Sequence, residues 1–174
     1  MYSTKITSGK YRGQTIATPG SGTHPMGSRE KMALFNMISG YLPGATVLDA
    51  YAGSGALGIE ALSRGANKVV FVEKNSRAAK VIRENLKKLG LTEMSLVTEA
   101  DTKNFAPTDN FDVIIADPPY DNFEINGAKN LAKSLKNDGV FVLSHPDEVP
   151  EIEGLKLQKT HKYAAAYISI YTAA

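Results

Sequence analysis

Residues 46–63 read TVLDAYAGSGALGIEALS, and the two ends of this stretch have different periods. Thr46–Ala50 is a short apolar run of strand type, whereas Ala56–Ser63 is helical and is followed by Gly65 where a C′ residue belongs. Between them lie Gly53, Ser54 and Gly55. Glycines let the backbone approach a ligand closely, and the helix that follows offers free N–H groups.

Outward from this unit the alternation continues. Lys68–Glu73 is a buried strand, and Asn75 or Ser76 caps a helix with Ala79, Ile82, Leu86 and Leu89 on its apolar face, ended by Gly90. Ser95–Thr98 is a third strand and Phe111–Ala116 a fourth. The spacing predicts a helix over 124–137 with Ala128, Leu131, Ala132 and Leu135 inward, then a fifth strand at Val140–Leu143. Leu155–Thr160 and Ala166–Thr172 have no helix between them and read as a closing antiparallel hairpin. Before the unit, Ile6 to Ile16, with Gly9 and Gly13, reads as a short hairpin, and 19–27 as a loop. Ser28 is placed to cap a helix with Leu34, Phe35, Ile38 and Leu42 inward, stopped by Gly40 and Pro43. The expected fold is α/β: a mainly parallel sheet with helices on both faces and an antiparallel C-terminal hairpin. Ligands of such sheets bind beyond the carboxyl ends of the strands.

At 174 residues, 43% hydrophobic and 22% charged, the chain fits one domain with a packed core. It has no cysteine, which excludes a disulfide scaffold, a zinc–thiolate site and a catalytic thiol. Without an apolar leader or a run near ~18 apolar residues, it reads as a soluble cytoplasmic protein with no membrane partner. Residues 1–40 hold Lys5, Lys10, Arg12, Arg29 and Lys31 against Glu30 alone, while the rest is slightly acidic. A basic extension over 1–27 on a near-neutral body suits a polyanion such as nucleic acid, although ordinary solvated lysines give the same count.

The residues after each strand carry the chemistry. Gly53-x-Gly55-x-x-Gly58 matches a dinucleotide fingerprint, but Asp49 stands at the strand end, four residues ahead of Gly53. A carboxylate there repels a pyrophosphate and suits a cationic amino group. An adenosine joined to an amino acid, without phosphate, fits; S-adenosylmethionine is such a ligand. Glu73 at the next strand end can accept ribose hydroxyls, and Asp101 can reach an adenine amino group. Each could equally be a solvated or turn residue. The sharpest signal is Asp117-Pro118-Pro119-Tyr120. Two prolines stiffen the corner and remove two N–H donors, leaving its carbonyls free. The Asp117 carboxylate and the Pro118 carbonyl can take the two hydrogens of an amino group on a planar ring, which stacks on Tyr120.

Taken together, these residues resemble the class I S-adenosylmethionine-dependent methyltransferases. ITSGKYRGQTI at Ile6–Ile16, LFN at Leu34–Asn36, DAYAGSGALGIEALSRGA from Asp49, DPPY and the terminal KYAAAYISIY resemble the RsmD family of 16S rRNA guanine-N2 methyltransferases. The resemblance implies a Rossmann-like fold. It also implies a donor site of Asp49, Tyr51, Ala52, Gly53, Ser54, Gly55, Glu73, Lys74, Asp101, Thr102 and Asp117, with a catalytic corner of Asp117, Pro118, Pro119 and Tyr120. It implies RNA contacts from Lys5, Lys10, Arg12 and Arg29, a 16S rRNA or small-subunit partner, no metal, and a monomer. The chain departs from the family's usual residues at His24-Pro25-Met26, at Met32 and at Ser144-His145-Pro146. A DNA adenine-N6 methyltransferase would share the DPPY chemistry, and a non-catalytic RNA-binding assembly factor or an NAD-dependent oxidoreductase would share the alternating fold. His24, His145 and His161 read as structural or exposed.

Overall fold

The computed structural model describes residues 2–20, 26–121, 123–163 and 166–174. The chain opens with a hairpin of β1 (Tyr2–Lys5) and β2 (Thr15–Thr18), then α1 (Ser28–Met37) and a 3-10 turn at Ser39–Tyr41. There follow β3 (Thr46–Ala50), α2 (Ala56–Ser63), β4 (Lys68–Glu73), α3 (Ser76–Leu89), β5 (Ser95–Glu99), β6 (Phe111–Ala116), α4 (Ile125–Ala132), β7 (Leu135–His145), β8 (Leu155–Tyr163) and β9 (Ala166–Ala173). The seven-stranded sheet has the order β5-β4-β3-β6-β7-β9-β8. The first five of these strands are parallel, and the β8–β9 hairpin adds antiparallel to β7.

Strands buried on both faces explain the continuous apolar runs of β3, β4 and β6. Val47, Val69, Val113 and Val142 face α1, α2 and α3, while Leu48, Val70, Ile114 and Phe141 face α4. Asn75 caps α3, its Oδ1 accepting the Ala78 N–H at 3.0 Å, and Gly90 closes the helix in the left-handed region.

Three local expectations are corrected. Ser28 is the first helical residue rather than the cap; Gly27 is the cap, its backbone extended and its carbonyl accepting the first helical N–H, from Lys31, at 2.9 Å. Helix α1 ends at Met37, yet Leu42 stays buried through the 3-10 turn. The helix over 124–137 stops at Ala132, where the Ser134 N–H and Oγ both donate to the Leu131 carbonyl. Leu135 instead opens β7 beside Phe111. A leucine serves either period, so the boundary was not fixed by the apolar pattern.

The N-terminal hairpin is fastened, not free. Ile6 and Ile16 are buried in the same core cluster as α1, α2 and α3. Glu60 of α2, fully buried, accepts the Thr7 and Ser8 N–H groups at 2.9 and 3.2 Å. It pairs with Arg64 at 3.0 Å and with buried Lys31 at 3.6 Å, whose Nζ also donates to the Lys5 carbonyl. Burial, partly offset by Glu60, pushes the Lys31 ammonium below its ordinary range. Glu60→Ala would strand that charge and two amides. The expected cost is about 3–5 kcal/mol, read as a lower urea midpoint; a loss under about 1 kcal/mol would show that this network does not hold the hairpin.

Candidate active site

The sheet order sets the carboxyl ends of β5, β4, β3 and β6 side by side, so Asp101, Glu73, Asp49 and Asp117 follow one another along one rim. From β3 the chain winds out to β4 on one side, while β6 lies on the other. The crevice between β3 and β6 is the topological switch point, flanked by Asp49 and Asp117.

The loop after β3 is held by its own backbone geometry. Tyr51, Gly53 and Gly55 have φ of 55°, 56° and 82°. The Ala52 N–H donates to Val72 O at 3.0 Å and the Gly55 N–H to Ala52 O at 2.7 Å. Gly58 brings α2 hard against the sheet: a Cβ there would lie 2.3 Å from the Phe71 ring. Asp49, 1% exposed, points beneath this loop, and its Oδ2 accepts the Gly58 N–H at 2.8 Å. Burial holds its carboxyl well above the ordinary range; the Gly58 bond opposes this, and the nearby Asp117 and Glu73 add to it. Asp49 therefore braces the start of α2 from beneath the loop.

Glu73 ties two loops together. Oε2 accepts the Gly53 N–H at 2.8 Å and Oε1 the Asn75 N–H at 2.9 Å. Each oxygen keeps a lone pair for a further donor. Lys74 is exposed. Asp101 is half-buried, its Oδ1 accepting the Lys103 N–H at 3.0 Å. Thr102 is 4% exposed and hydrogen-bonds the Tyr51 hydroxyl, and Gly127 at the start of α4 packs so close that a Cβ would meet both oxygens. Asn130 of α4 secures this corner by donating to the Thr102 and Phe105 carbonyls. The sequence carries no local signal for Gly127 or Asn130.

In the corner after β6, Pro118 is buried and Pro119 exposed. Burial pushes the Asp117 carboxyl up to about 6, against hydrogen bonds from Ser144 and Tyr120. The Tyr120 hydroxyl also meets the Ser144 hydroxyl, on the neighbouring strand β7. With its folded-state pKa raised, Asp117 contributes stability that is complete below 3.8 and is lost as pH rises through about 6.

The basic residues divide. Arg29 is exposed in the first turn of α1, next to Glu30, whose charge acts on Tyr120. Lys5 is exposed and its carbonyl is held by Lys31. Lys10 and Arg12 are also exposed, but the Lys10 N–H docks on Ser63 O, at the end of α2 remote from the glycine loop. The structure does not bring these two to the rim. His145 is fully buried, its ring held by Ser169 at 2.7 Å and the Asp147 carbonyl at 3.1 Å. His161 stacks on Tyr163. His24 lies outside the described residues. Among the described residues, no group of three or more His, Asp or Glu is placed to hold a metal, and no helix is long and apolar enough to cross a membrane.

The family described as Conserved hypothetical protein 95 matches residues 4–172. The chain belongs to this family. Its relatives connect it to the RsmD proteins that its motifs resemble. The Bacillus subtilis protein named "Putative rRNA methyltransferase YlbH" is 34% identical over 96% of this chain and 97% of its own length. Ribosomal RNA small subunit methyltransferase D of Haemophilus influenzae is 37% identical over 67% of this chain and 63% of its own length. Among solved structures, the Haemophilus influenzae protein described as "putative methylase HI0767" is 28% identical and superposes with a TM-score of 0.81, covering 99% of each chain. The fold of this RsmD-family chain is the Rossmann-like methyltransferase fold.

Proposed function

We propose that the protein transfers a methyl group from S-adenosylmethionine to the exocyclic N2 of a guanine in 16S rRNA of the small ribosomal subunit, acting in the cytoplasm as a monomer. The observation that carries this reading is the juxtaposition, across one switch point, of the Asp117-Pro118-Pro119-Tyr120 corner and the glycine loop over Asp49. The names of the relatives support the rRNA substrate.

The residues fit the donor. Asp117 and Glu73 both act electrostatically against the Asp49 carboxylate, and a ligand bearing a sulfonium and an ammonium would relieve that repulsion. Asp49 would face the amino-acid end, Glu73 the ribose, Asp101 and Thr102 the adenine, with Tyr51–Gly55 and Lys74 closing round it. S-adenosylmethionine, when bound, supplies a methyl group activated on sulfur.

The guanine amino nitrogen is a poor nucleophile because its lone pair is delocalised into the ring. Asp117 and the Pro118 carbonyl accept its two hydrogens and favour a tetrahedral nitrogen, whose lone pair then projects away from the corner. Tyr120 supports the ring, which must first leave its stack at a cost of a few kcal/mol. Positioning supplies most of the rate, and the Asp117 charge stabilises the positive nitrogen as it forms. That nitrogen is acidic and sheds its proton after transfer. Arg29 and Lys5 would hold phosphates, which gives affinity without sequence information.

Because the carboxylate form is the acceptor, methyl transfer is expected to rise between about pH 5 and 7 with a midpoint near 6. A rate flat across that window would remove Asp117 ionisation from the mechanism. The substrate class is tested by offering labelled donor with unmodified small-subunit rRNA, with assembled particles, or with duplex DNA. Label in DNA alone would replace this reading by the adenine-N6 one.

A further inference from the structure

Asn85 lies on the inward side of α3 and is 2% exposed, and the mechanism above gives it no role. Its Oδ1 accepts the Ala17 N–H at 2.9 Å, while Nδ2 donates to the Ala17 carbonyl at 2.9 Å and to the Ser54 carbonyl at 3.1 Å. The amide thus treats Ala17 as a neighbouring strand would, and its second hydrogen reaches into the glycine loop.

The Ser54 carbonyl needs that hydrogen. Ser54 precedes Gly55, the cap of α2, whose carbonyl takes the first helical N–H, from Ile59. The Ser54 carbonyl therefore has no partner within the helix, and in a residue only 6% exposed Asn85 supplies the donor. Glu73 restrains Gly53 from one side and Asn85 restrains Ser54 from the other.

We propose that Asn85 is a positioning residue for the methyl donor, clasping the Ser54 carbonyl to strand β2 so that the N-terminal hairpin fixes the shape of the donor loop. This rests on reading residues 51–55 as that loop. The consequence is specific: a hairpin residue that never touches the donor controls its affinity.

Ala17→Pro separates the clasp from ordinary packing. It removes the N–H that Asn85 accepts. The pairing with β1 survives, because both backbone groups of Ala17 face Asn85 and its partner Ser3 sits in a non-hydrogen-bonded pair. Lys88→Ala is the control, since Lys88 Nζ bonds the Thr15 carbonyl of the same hairpin at 2.8 Å without reaching the loop.

The measurement is calorimetric titration of the full chain with S-adenosylmethionine, with melting temperatures alongside. Asn85→Ala is expected to weaken binding about tenfold and Ala17→Pro about fivefold, the double variant being no weaker than Asn85→Ala alone. Lys88→Ala should bind as wild type does. Wild-type-like affinity in Ala17→Pro overturns the clasp even if Asn85→Ala fails to fold, and so does an equal loss in Lys88→Ala. A wild-type chain that does not bind the donor overturns the proposed function instead.

Discussion

Replacing Asp117 by Ala is expected to lower single-turnover methyl transfer at saturating donor by about 10²–10³-fold, with donor affinity falling no more than about tenfold. The proposed chemistry uses the acceptor capacity of this carboxylate, whose pKa burial raises to about 6 even with Ser144 and Tyr120 donating to it. Asp117→Asn retains one acceptor oxygen and removes the titration. It is therefore expected to show intermediate activity with no limb near pH 6. Full activity in Asp117→Ala, with the donor bound, would show that the corner does not hold the reacting nitrogen.

Glu73→Ala is expected to weaken S-adenosylmethionine binding about 10²-fold, measured by titration. Two losses combine. The Gly53 and Asn75 N–H groups lose the acceptor that joins them at 2.8 and 2.9 Å, so the glycine loop loosens on the side away from Asn85. On the proposed reading the ribose hydroxyls would also lose a charged partner, and hydrogen bonds to a charged group are the stronger kind. Glu73→Gln keeps one acceptor oxygen but turns an amide donor toward the other N–H, so it should fall between. A change below threefold in Glu73→Ala would mean that neither the loop restraint nor a ribose contact from Glu73 supports donor binding.

The contrast between Glu73 and Glu60 shows what the residues disclose on their own. Glu73 closes an apolar strand, and a strand end in an alternating α/β chain is where ligands go, so its place on the rim could be read in advance. The same holds for Asp49 and Asp117, at the ends of the apolar strands β3 and β6, whereas Asp101 follows the short, partly exposed β5, SLVTE. Glu60 sits in a helix among alanines and leucines and carries no such mark. Its burial becomes visible only when the hairpin some 50 residues earlier folds against it. Lys31 and Asn85 are hidden for the same reason: a polar residue in a helix reads as surface until a partner distant in sequence supplies its hydrogen bonds. The Tyr120–Ser144 contact spans 24 residues and joins the corner after β6 to strand β7, which local spacing does not encode. The basic residues show the converse. Lys10 and Arg12 belong to the N-terminal charge cluster by count, yet the chain carries them to the end of α2 away from the glycine loop. RNA that reaches them must extend well past the rim.

The decisive measurement is nucleoside analysis of small-subunit rRNA, from particles never exposed to the modification, after incubation with the protein and methyl-labelled S-adenosylmethionine. Label recovered as N2-methylguanosine, and lost with Asp117→Ala, is the predicted result. Label in any other nucleoside, or none from a chain shown to bind the donor, would contradict a corner built to present a guanine amino group.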